Sequence, residues 1–437
     1  MNISSHKTKI KRLASGAKLV HISSPRLPYS AIGAFVRAGS RFDPKDKEGV
    51  AHFLEHLCMT KTKRFHTAEE RFQKLESFGI DCSASTHKEF VSFYHTQTHE
   101  RTSASLRLLV DGLNYSWFDE QDVKRERAVI LDEVSREEGE RGKVIWKAGS
   151  NLLWPKSLLG RSLIGNKDSI QSISFEDLAS FRNTFYSSRN LVFVVVEQKD
   201  GFKEATRIIE KEYKPQKHKD IVYRDRFLSP VRTTFQKPLS GLQQDDEHLD
   251  IGLYFRISPP KNIRDRVTVS FIRDYLSNTW ISKLVEELRF KRGLTYWVSG
   301  DSDYFSDTGY LELAFSTTKN NVISALEICF NEIKKIKAGK TDNAKELKNH
   351  KTSKASHIIK SCANPHTLFQ WYGEDAVLGA KLLSPHDYIK EMNKISVEDM
   401  QVAANKYFKK KNLSLVILGQ RKKTLEAEVK ELIKKLF

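Results

Sequence analysis

The sequence has no long apolar run. In its 437 residues the longest purely apolar stretch is residues 191–196, far short of the roughly 18 residues that a membrane-spanning helix requires. The first sixteen residues are basic but contain no apolar core, so a secretory signal is not expected. We therefore predict a protein without a membrane span.

Cysteine is scarce as well. The four cysteines are far apart and form no CxxC pair, which argues against a disulfide framework and against a cysteine-ligated zinc site. They are Cys58, Cys82, Cys329 and Cys362. This usage fits a reducing compartment, and we predict a cytoplasmic protein.

The sequence also lacks a concentrated basic cluster, although its formal net charge is +18. A charge of this size is compatible with binding to nucleic acid or to an anionic surface. The lysines and arginines are spread along the chain, however, and no recognisable nucleic-acid-binding module is present. We therefore expect no nucleic-acid partner. Binding to DNA that weakens steeply as salt is added would instead favour a nucleic-acid-binding protein.

What the sequence does contain is the run HFLEH at residues 52–56. If residues 49–60 form a helix, an apolar stripe faces the core, and His52, Glu55 and His56 point the opposite way. Two imidazoles at positions i and i+4 can bind one Zn²⁺, and the glutamate between them can reach a water on the metal. The alternative is a pair of surface histidines. The apolar stripe consists of Val50, Phe53, Leu54 and Leu57.

A further ligand has to come from another element, because open zinc sites use about three protein ligands plus water. Residues 122–138 are predicted to form a helix with two carboxylates in an apolar stripe. A buried carboxylate without a partner is costly, so this pattern requires a metal or an arginine. The alternative is an exposed charged helix. The stripe consists of Val123, Glu126, Val129, Ile130 and Glu133.

Two segments repeat each other without a gap. Residues 173–198 and 395–420 match at an offset of 395 − 173 = 222 residues, with nine identities. Such a repeat indicates duplication of one domain. We predict two homologous domains, 1–213 and 248–437, joined by a polar, proline-containing linker at 214–247.

The second copy predicts strands and helices but no second metal site. Apolar residues at every other position of 249–257 indicate an antiparallel, half-buried sheet with helices on one face, which is an α+β fold. At the position of His52 the second copy has Asp274 (52 + 222 = 274), and no HxxEH run lies near it. Only the first copy can therefore build the site.

These motifs together resemble the pitrilysin or insulinase family of zinc metallopeptidases, peptidase family M16. The likeness is to its shorter subfamily, which includes the mitochondrial processing peptidase and bacterial homologues, and it extends over nearly the whole sequence. It rests on the HFLEH run, on Gly39 and Gly49 before it, and on the segment ERAVILDE at 126–133.

The resemblance implies a role for each residue of the first motif pair. His52, His56 and Glu133 would bind one Zn²⁺ per chain. Glu55 would be the general base, and Glu126 would orient a ligand from behind. These two glutamates are the predicted catalytic residues.

The family also has Asn-Ala-x-Thr on an edge strand that holds the substrate backbone, and this sequence reads SAST at residues 83–86. Ser83 and Ala84 are therefore the predicted substrate-binding residues of that strand, with serine in place of the asparagine.

A second family element, Arg-x-x-x-Gly-Leu-x-Tyr, resembles the segment LRFKRGLTYWV at 288–298. In the family this arginine and tyrosine reach the substrate from the inactive domain, which assigns substrate binding to Arg289 and Tyr296. The alternative is that Tyr296 is a core aromatic residue and Arg289 a charge at a helix C-terminus.

The resemblance implies a zinc endopeptidase that hydrolyses unfolded or short polypeptides inside a clamshell chamber between two α+β domains. It also implies a homodimer, or a heterodimer with a non-catalytic homologue. The alternatives are a catalytically inactive subunit of the same fold and, less in keeping with the motifs, a basic nucleic-acid-binding protein.

Overall fold

The protein divides into two compact units. Its computed structural model describes residues 6–216, 233–236, 247–259, 262–419 and 423–436. The first unit contains the described residues of 6–134, 161–216 and 358–386, and the second contains those of 135–160, 233–357 and 387–436. Each unit combines one sheet with several helices, which confirms the predicted α+β class.

The first unit is built on a six-stranded sheet. Its strands are β1 (Lys7–Arg12), β2 (Lys18–Ser23), β3 (Ser30–Val36), β4 (Asp81–Thr86), β5 (Val91–Gln97) and β6 (Leu191–Glu197). They lie in the order β1-β2-β6-β3-β5-β4, and every neighbouring pair is antiparallel except β2 and β6. Strand β4 therefore lies at one edge of the sheet.

Helices cover both faces of this sheet. They are α1 (Val50–Leu57), α2 (Ala68–Glu76), α3 (Thr102–Tyr115), α4 (Glu120–Gly139), α6 (Lys167–Ser172), α7 (Phe175–Phe185), α8 (Phe202–Glu212) and α12 (Pro365–Val377). Helix α12, from late in the chain, buries Leu368, Phe369 and Tyr372 on the face that the others leave open. It approaches closely because Gly373 has no side chain, and a Cβ there would lie 1.9 Å from the ring of Phe35.

The second unit contains a five-stranded sheet in the order β7-β11-β8-β10-β9. Its strands are β7 (Thr233–Gln236), β8 (His248–Ile257), β9 (Val298–Tyr304), β10 (Gly309–Thr318) and β11 (Leu413–Leu418). Its helices are α5 (Arg141–Leu153), α9 (Ile263–Leu276), α10 (Val322–Lys337), α11 (Ala344–Ser361), α13 (Pro385–Asn393), α14 (Val397–Tyr407) and α15 (Lys423–Leu436). Only β7 and β11 are parallel neighbours.

The prediction that β8 is half-buried is wrong. Its apolar residues are buried as predicted, but Asp250 and Tyr254 on the other face are buried too. The reason is α5, which packs on that face with Ile145 and Leu153 in the same cluster as Tyr254. A Cβ on Gly149 of α5 would lie 2.4 Å from the Tyr254 ring, so this helix also requires a glycine at the contact.

Each unit is thus completed by a helix from the other half of the sequence. Helix α5 precedes residue 213 but packs in the second unit, and α12 follows residue 248 but packs in the first. The predicted division at 213 and 248 remains a prediction about the two copies of the repeat. Most of the predicted linker, 214–247, lies outside the described residues.

The repeat in the sequence recurs as a repeat in structure. Helices α7 and α14 begin at 175 and 397 and end at 185 and 407, each pair separated by 222 residues. Both have a serine capping box, Ser174 with Asp177 and Ser396 with Asp399. Strands β6 and β11 follow at the same offset.

Across the described ranges, none of the helices has both the length and the apolar content to cross a bilayer. All four cysteines are free thiols, and only Cys82 is exposed.

Candidate metal centre

Helix α1 is fixed at its N-terminus by a glycine and a buried carboxylate. Gly49 precedes the helix with φ of 97°, a left-handed conformation that glycine adopts without strain. The two oxygens of Asp43 accept hydrogen bonds from the backbone N–H groups of Gly49 (2.7 Å) and Ala51 (2.9 Å). A carboxylate is favourable at this end of a helix dipole. These contacts set where the helix starts and therefore which way its side chains point.

One face of α1 packs into the core, as predicted, although the helix is shorter than the expected 49–60. His52, Glu55 and His56 leave the helix on its other side, and the two imidazole rings lie 4.7 Å apart at 74°. The predicted core residues are at most 1% exposed: Val50, Phe53, Leu54 and Leu57.

The carboxylate of Glu133, on α4, lies beside both histidines. Its Oε2 is 3.6 Å from Nε2 of His52 and 3.6 Å from Nε2 of His56. Donor atoms on one tetrahedral Zn²⁺, each about 2.0–2.2 Å from the metal, are about 3.3–3.6 Å apart. The three side chains form a group whose ligand atoms all lie within 4.8 Å of one another. Two imidazoles and one carboxylate in this spacing fit zinc.

This group is not sealed from solvent. The side chain of His52 is 8% exposed, but those of His56 and Glu133 are 20% and 29% exposed. Catalytic zinc sites leave one coordination position open, whereas structural sites are closed by four protein ligands. Three protein donors with an exposed side match the catalytic type.

Glu126 lies behind His56 rather than with the three ligand candidates. Its Oε2 is 3.5 Å from Nδ1 of His56, the ring nitrogen that faces away from Glu133. The contact with His56 holds the pKa of Glu126 below its ordinary value, which burial alone would raise, and Arg125 lowers it further. A carboxylate in this position orients a metal-binding imidazole and raises its basicity.

The predicted stripe of α4 is partly wrong. Val123 and Ile130 are buried, but Val129 is 48% exposed. A helix turns about 100° per residue, so Val129 lies well around the helix from the buried side that Ile130 occupies. Glu126 and Glu133 lie between these two directions, which is why both are only partly exposed.

Glu55 is held by a hydrogen bond from the end of strand β4. The Thr86 hydroxyl donates to its Oε2 at 2.7 Å. Burial raises the pKa of Glu55 and the Glu133 charge adds to this, whereas the Thr86 hydrogen bond and the His56 charge oppose it. A raised pKa makes a glutamate a better proton acceptor, which suits general base catalysis.

Ser83 and Ala84 lie on β4, at the sheet edge. Each pairs with one residue of β5, Ser83 with Tyr94 and Ala84 with Phe93. Among the described strands, β4 has no neighbour on its other side, and Ser83 is exposed. Its outward backbone groups are therefore accessible.

Arg289 and Tyr296 belong to the second unit and lie on its surface. Tyr296 is 80% exposed, so the alternative that it is a core aromatic residue is wrong. Arg289 lies in a π-helical turn, Val285–Phe290, with its guanidinium carbon 4.9 Å from the centre of the Tyr296 ring. Gly293 adopts φ of 61° in the turn between them, where glycine is favoured.

Sequence reasoning missed two residues that the structure places at the site. Asp43 caps α1 and Thr86 holds Glu55. Thr86 had a signal, since it is the last residue of the SAST segment. Asp43 had a weaker one, an aspartate before a proline ahead of the helix, which is typical of turns and caps.

Comparisons with known proteins identify one family. The model of the insulinase family, peptidase family M16, matches residues 18–167, and that of the peptidase M16 inactive domain matches residues 172–353. An uncharacterized zinc protease of Rickettsia felis is 24% identical over 413 residues, covering 93% of this chain and 97% of the relative. The mitochondrial-processing peptidase subunit beta of Blastocladiella emersonii is 23% identical, covering 94% and 89%.

The fold is shared with a protease from Helicobacter pylori, at a TM-score of 0.84 and 19% identity, covering 96% of this chain and 100% of the other. The two family models follow one another along this chain in the same order as its HxxEH-bearing and HxxEH-lacking halves. With the zinc-type donor set in the first of these halves, the chain belongs to the insulinase family, peptidase family M16.

Proposed function

We propose that this chain is a zinc-dependent endopeptidase with one Zn²⁺ held by His52, His56 and Glu133. The observation that carries the proposal is that one carboxylate oxygen lies 3.6 Å from each of two imidazole nitrogens, on a partly exposed face, with all three ligand atoms within 4.8 Å of one another. A bound Zn²⁺ would polarise the scissile carbonyl and lower the pKa of a water toward about 7.

Glu55 has the position and chemistry of the base. It extends from the same helix face as the two histidines, and Thr86 engages its Oε2. The other carboxylate oxygen is then available to accept a proton from the attacking water and pass it to the leaving amine. Glu126 supports His56 from behind and takes no proton in this scheme.

The free edge of β4 supports binding of extended substrate. A peptide that adds as a further strand exchanges backbone hydrogen bonds with the edge, near Ser83 and Ala84. Such pairing requires backbone that is not already paired in a fold, so the substrates proposed are unfolded or short polypeptides. We propose that Arg289 and Tyr296 also bind substrate.

The other functions considered have less support. A catalytically inactive subunit needs neither the three ligand candidates nor Glu55, and all four are in place. A nucleic-acid-binding role has only the +18 charge in its favour. Because one relative is named as a subunit, we propose assembly as a homodimer or with a non-catalytic homologue. A cytoplasmic location remains a prediction from cysteine usage.

Metal analysis combined with a quenched-peptide library tests the proposal. The purified full-length chain should contain about one zinc per chain, lose hydrolysis on chelation, and regain it when zinc is added back. Peptide hydrolysis that is indifferent to complete metal removal would overturn the assignment. A metal-loaded chain that cleaves no library peptide would favour the inactive subunit.

A further inference from the structure

The second unit carries an unusual surface of exposed aromatic side chains. Five of the ten large apolar side chains that are exposed in the described part of the chain lie between residues 280 and 297. Exposed apolar surface marks interaction sites on proteins where it is contiguous, and three of the five side chains, Trp280, Phe290 and Tyr296, share Arg289 as a neighbour. The five, here called the aromatic cluster, are Trp280, Ile281, Phe290, Tyr296 and Trp297.

Three rings of the aromatic cluster surround one cation. The guanidinium carbon of Arg289 is 4.9 Å from the Trp280 ring centre, 5.9 Å from that of Phe290 and 4.9 Å from that of Tyr296. The rings of Trp280 and Phe290 are themselves 6.1 Å apart. A guanidinium stacks on rings through its flat faces and keeps its N–H donors in its plane.

The charges around Arg289 are otherwise balanced. Lys283 pairs with Asp342 at 2.7 Å, Lys291 with Glu286 at 2.8 Å, and Arg292 with Glu287. Arg289 has no carboxylate partner among the described residues. Its in-plane donors match the two oxygens of a carboxylate, which Arg binds in a bidentate manner.

The backbone conformation at Arg289 and Phe290 is also typical of functional sites. Arg289 and Phe290 end a π-helical turn, and such turns are rare and frequent at functional sites. Trp280 lies outside the Arg-x-x-x-Gly-Leu-x-Tyr motif, and Phe290 occupies one of its unspecified positions, so the motif by itself does not account for either ring.

We propose that the aromatic cluster binds a peptide segment in which a large apolar side chain stands next to a carboxylate. The rings of Trp280 and Phe290 contact the apolar side chain, and Arg289 binds the carboxylate. This names a substrate class for the proposed peptidase and rests on that function. The carboxylate is supplied either by an Asp or Glu side chain or by the C-terminus of a peptide.

Two other occupants fit less well. An anionic lipid surface is bound by several unpaired cations, whereas the neighbours of Arg289 are paired with acidic residues. A second copy of the chain would typically bury about 800 Å² per partner. The three rings beside Arg289, which are 59–80% exposed, together expose about 450 Å², which suits a peptide segment better than a stable dimer.

Peptide affinity without turnover tests the proposal. In full-length chain carrying Glu55→Gln, fluorescence anisotropy would compare a labelled, amidated peptide containing Phe-Glu with matched Ala-Glu and Phe-Gln peptides. We expect the Phe-Glu peptide to bind about tenfold more tightly than either. A second pair of peptides, both ending in Phe, separates the two sources of the carboxylate. Tighter binding of the peptide with a free C-terminal carboxylate than of its amide would indicate recognition of the C-terminus.

Variants assign the contacts to residues. Trp280→Ala and Phe290→Ala should weaken binding of the Phe-Glu peptide about tenfold and leave the Ala-Glu peptide nearly unchanged. Arg289→Lys should weaken Phe-Glu but not Phe-Gln, since lysine keeps the charge and loses the bidentate geometry. The matched control is Val402→Ala, which removes another exposed apolar side chain of the second unit.

Equal affinity for all three peptides, or equal effects of Trp280→Ala and Val402→Ala, would overturn the proposal. So would a loss of self-association or of vesicle binding in Trp280→Ala with unchanged peptide affinity. This binding assay does not measure hydrolysis. If the peptidase assignment fails, the failure is seen in the separate experiment on the unmodified chain, as absent zinc or absent cleavage.

Discussion

Each unit contains one pair of equivalent helices, and the side-chain contacts between the two helices of the pair differ from one unit to the other. In the first unit, His52 and His56 on α1 stand 3.6 Å from Glu133 on α4, too far for good hydrogen bonds. In the second unit, Asp274 on α9 forms an ion pair with Lys354 on α11. One pair of helices leaves its donor atoms spaced for an ion, and the other closes the gap with its own charges.

The repeat places these residues at related positions. Asp274 corresponds to His52 (274 − 222 = 52), and Lys354 corresponds to position 132, beside Glu133 (354 − 222 = 132). Arg273 also pairs with Asp274, at 2.7 Å. The comparison teaches that the same helix contact is closed by a short ion pair in the second unit, whereas in the first unit its donor atoms keep the spacing of a metal site.

The largest expected effects are on peptide hydrolysis, and they come from two substitutions in the first unit that distinguish metal binding from proton transfer. Glu55→Gln should retain zinc yet lower kcat/KM by about 10³-fold, because the amide accepts no proton. His56→Ala should lose both zinc and hydrolysis. Metal content by mass spectrometry and peptide cleavage check this, with exposed Glu176→Gln as the control. Near-normal turnover in Glu55→Gln would remove Glu55 from the mechanism.

The next largest expected effect is a loss of stability that is confined to the second unit. Asp274→Ala leaves Lys354 buried without its carboxylate, which should lower the free energy of unfolding by about 3–5 kcal/mol. Zinc content should stay unchanged. Urea unfolding measures the loss, with Glu428→Ala as an exposed control. An unfolding free energy equal to that of the control would show that the ion pair does not support the unit.

Acid should distinguish the two helix pairs. Burial raises the pKa of Asp274, but the charges of Lys354 and Arg273 outweigh it and bring the value to about 2. Because this lies below the unfolded value of 3.8, the contribution of about 2 kcal/mol is complete above about pH 5 and is lost as the pH falls through 3.8 toward 2. Zinc requires neutral imidazoles and is displaced by protons earlier.

Between about pH 7 and pH 4.5 the zinc content should therefore fall, while the stability difference between the natural chain and Asp274→Asn stays constant. Metal analysis and urea unfolding across this range check both. A stability difference that shrinks in parallel with the zinc content would contradict the separation.

A smaller effect is expected at Glu126, which contacts His56, one of the three proposed zinc ligands. Glu126→Ala should weaken zinc affinity by about 10–100-fold without abolishing binding at saturating zinc, because His56 loses its supporting carboxylate. Competition with a chelator of known affinity measures this. Unchanged affinity would assign Glu126 to an ordinary surface role.

The smallest effect concerns the position of Glu55. Thr86→Val keeps the shape of the side chain but removes the hydroxyl that donates to Glu55, so kcat should fall about tenfold with KM unchanged. Thr86→Ser should restore most of it. Thr96→Val, on the neighbouring strand β5, is the matched control. A rise in KM with constant kcat would place Thr86 in substrate binding instead.

Features set by local sequence were predicted well. The core-facing side of α1 follows from apolar spacing, and the repeat of residues 173–198 at 395–420 recurs as two equivalent helices followed by two equivalent strands. The position of His52, Glu55 and His56 on one helix face needs only helical periodicity. Their approach to Glu133 came from a family resemblance, because a separation of 77 residues (133 − 56 = 77) has no local geometry.

Features that depend on distant packing were missed or mistaken. The half-buried prediction for β8 failed because α5 covers its second face, and an alternating pattern does not tell which helix will arrive. Val129 was placed in a buried stripe because periodicity defines the sides of a helix but not how wide the core contact is.

By itself the sequence determined the α+β class, the repeat and the residue types of a zinc site, since each depends on spacing along one helix or strand. Only the tertiary structure decided that Thr86 holds Glu55, that α5 and α12 complete the sheets of opposite halves, and that Arg289 is surrounded by exposed rings. These contacts join separate elements, and they form because burial of apolar surface selects neighbours by shape rather than by order in the chain.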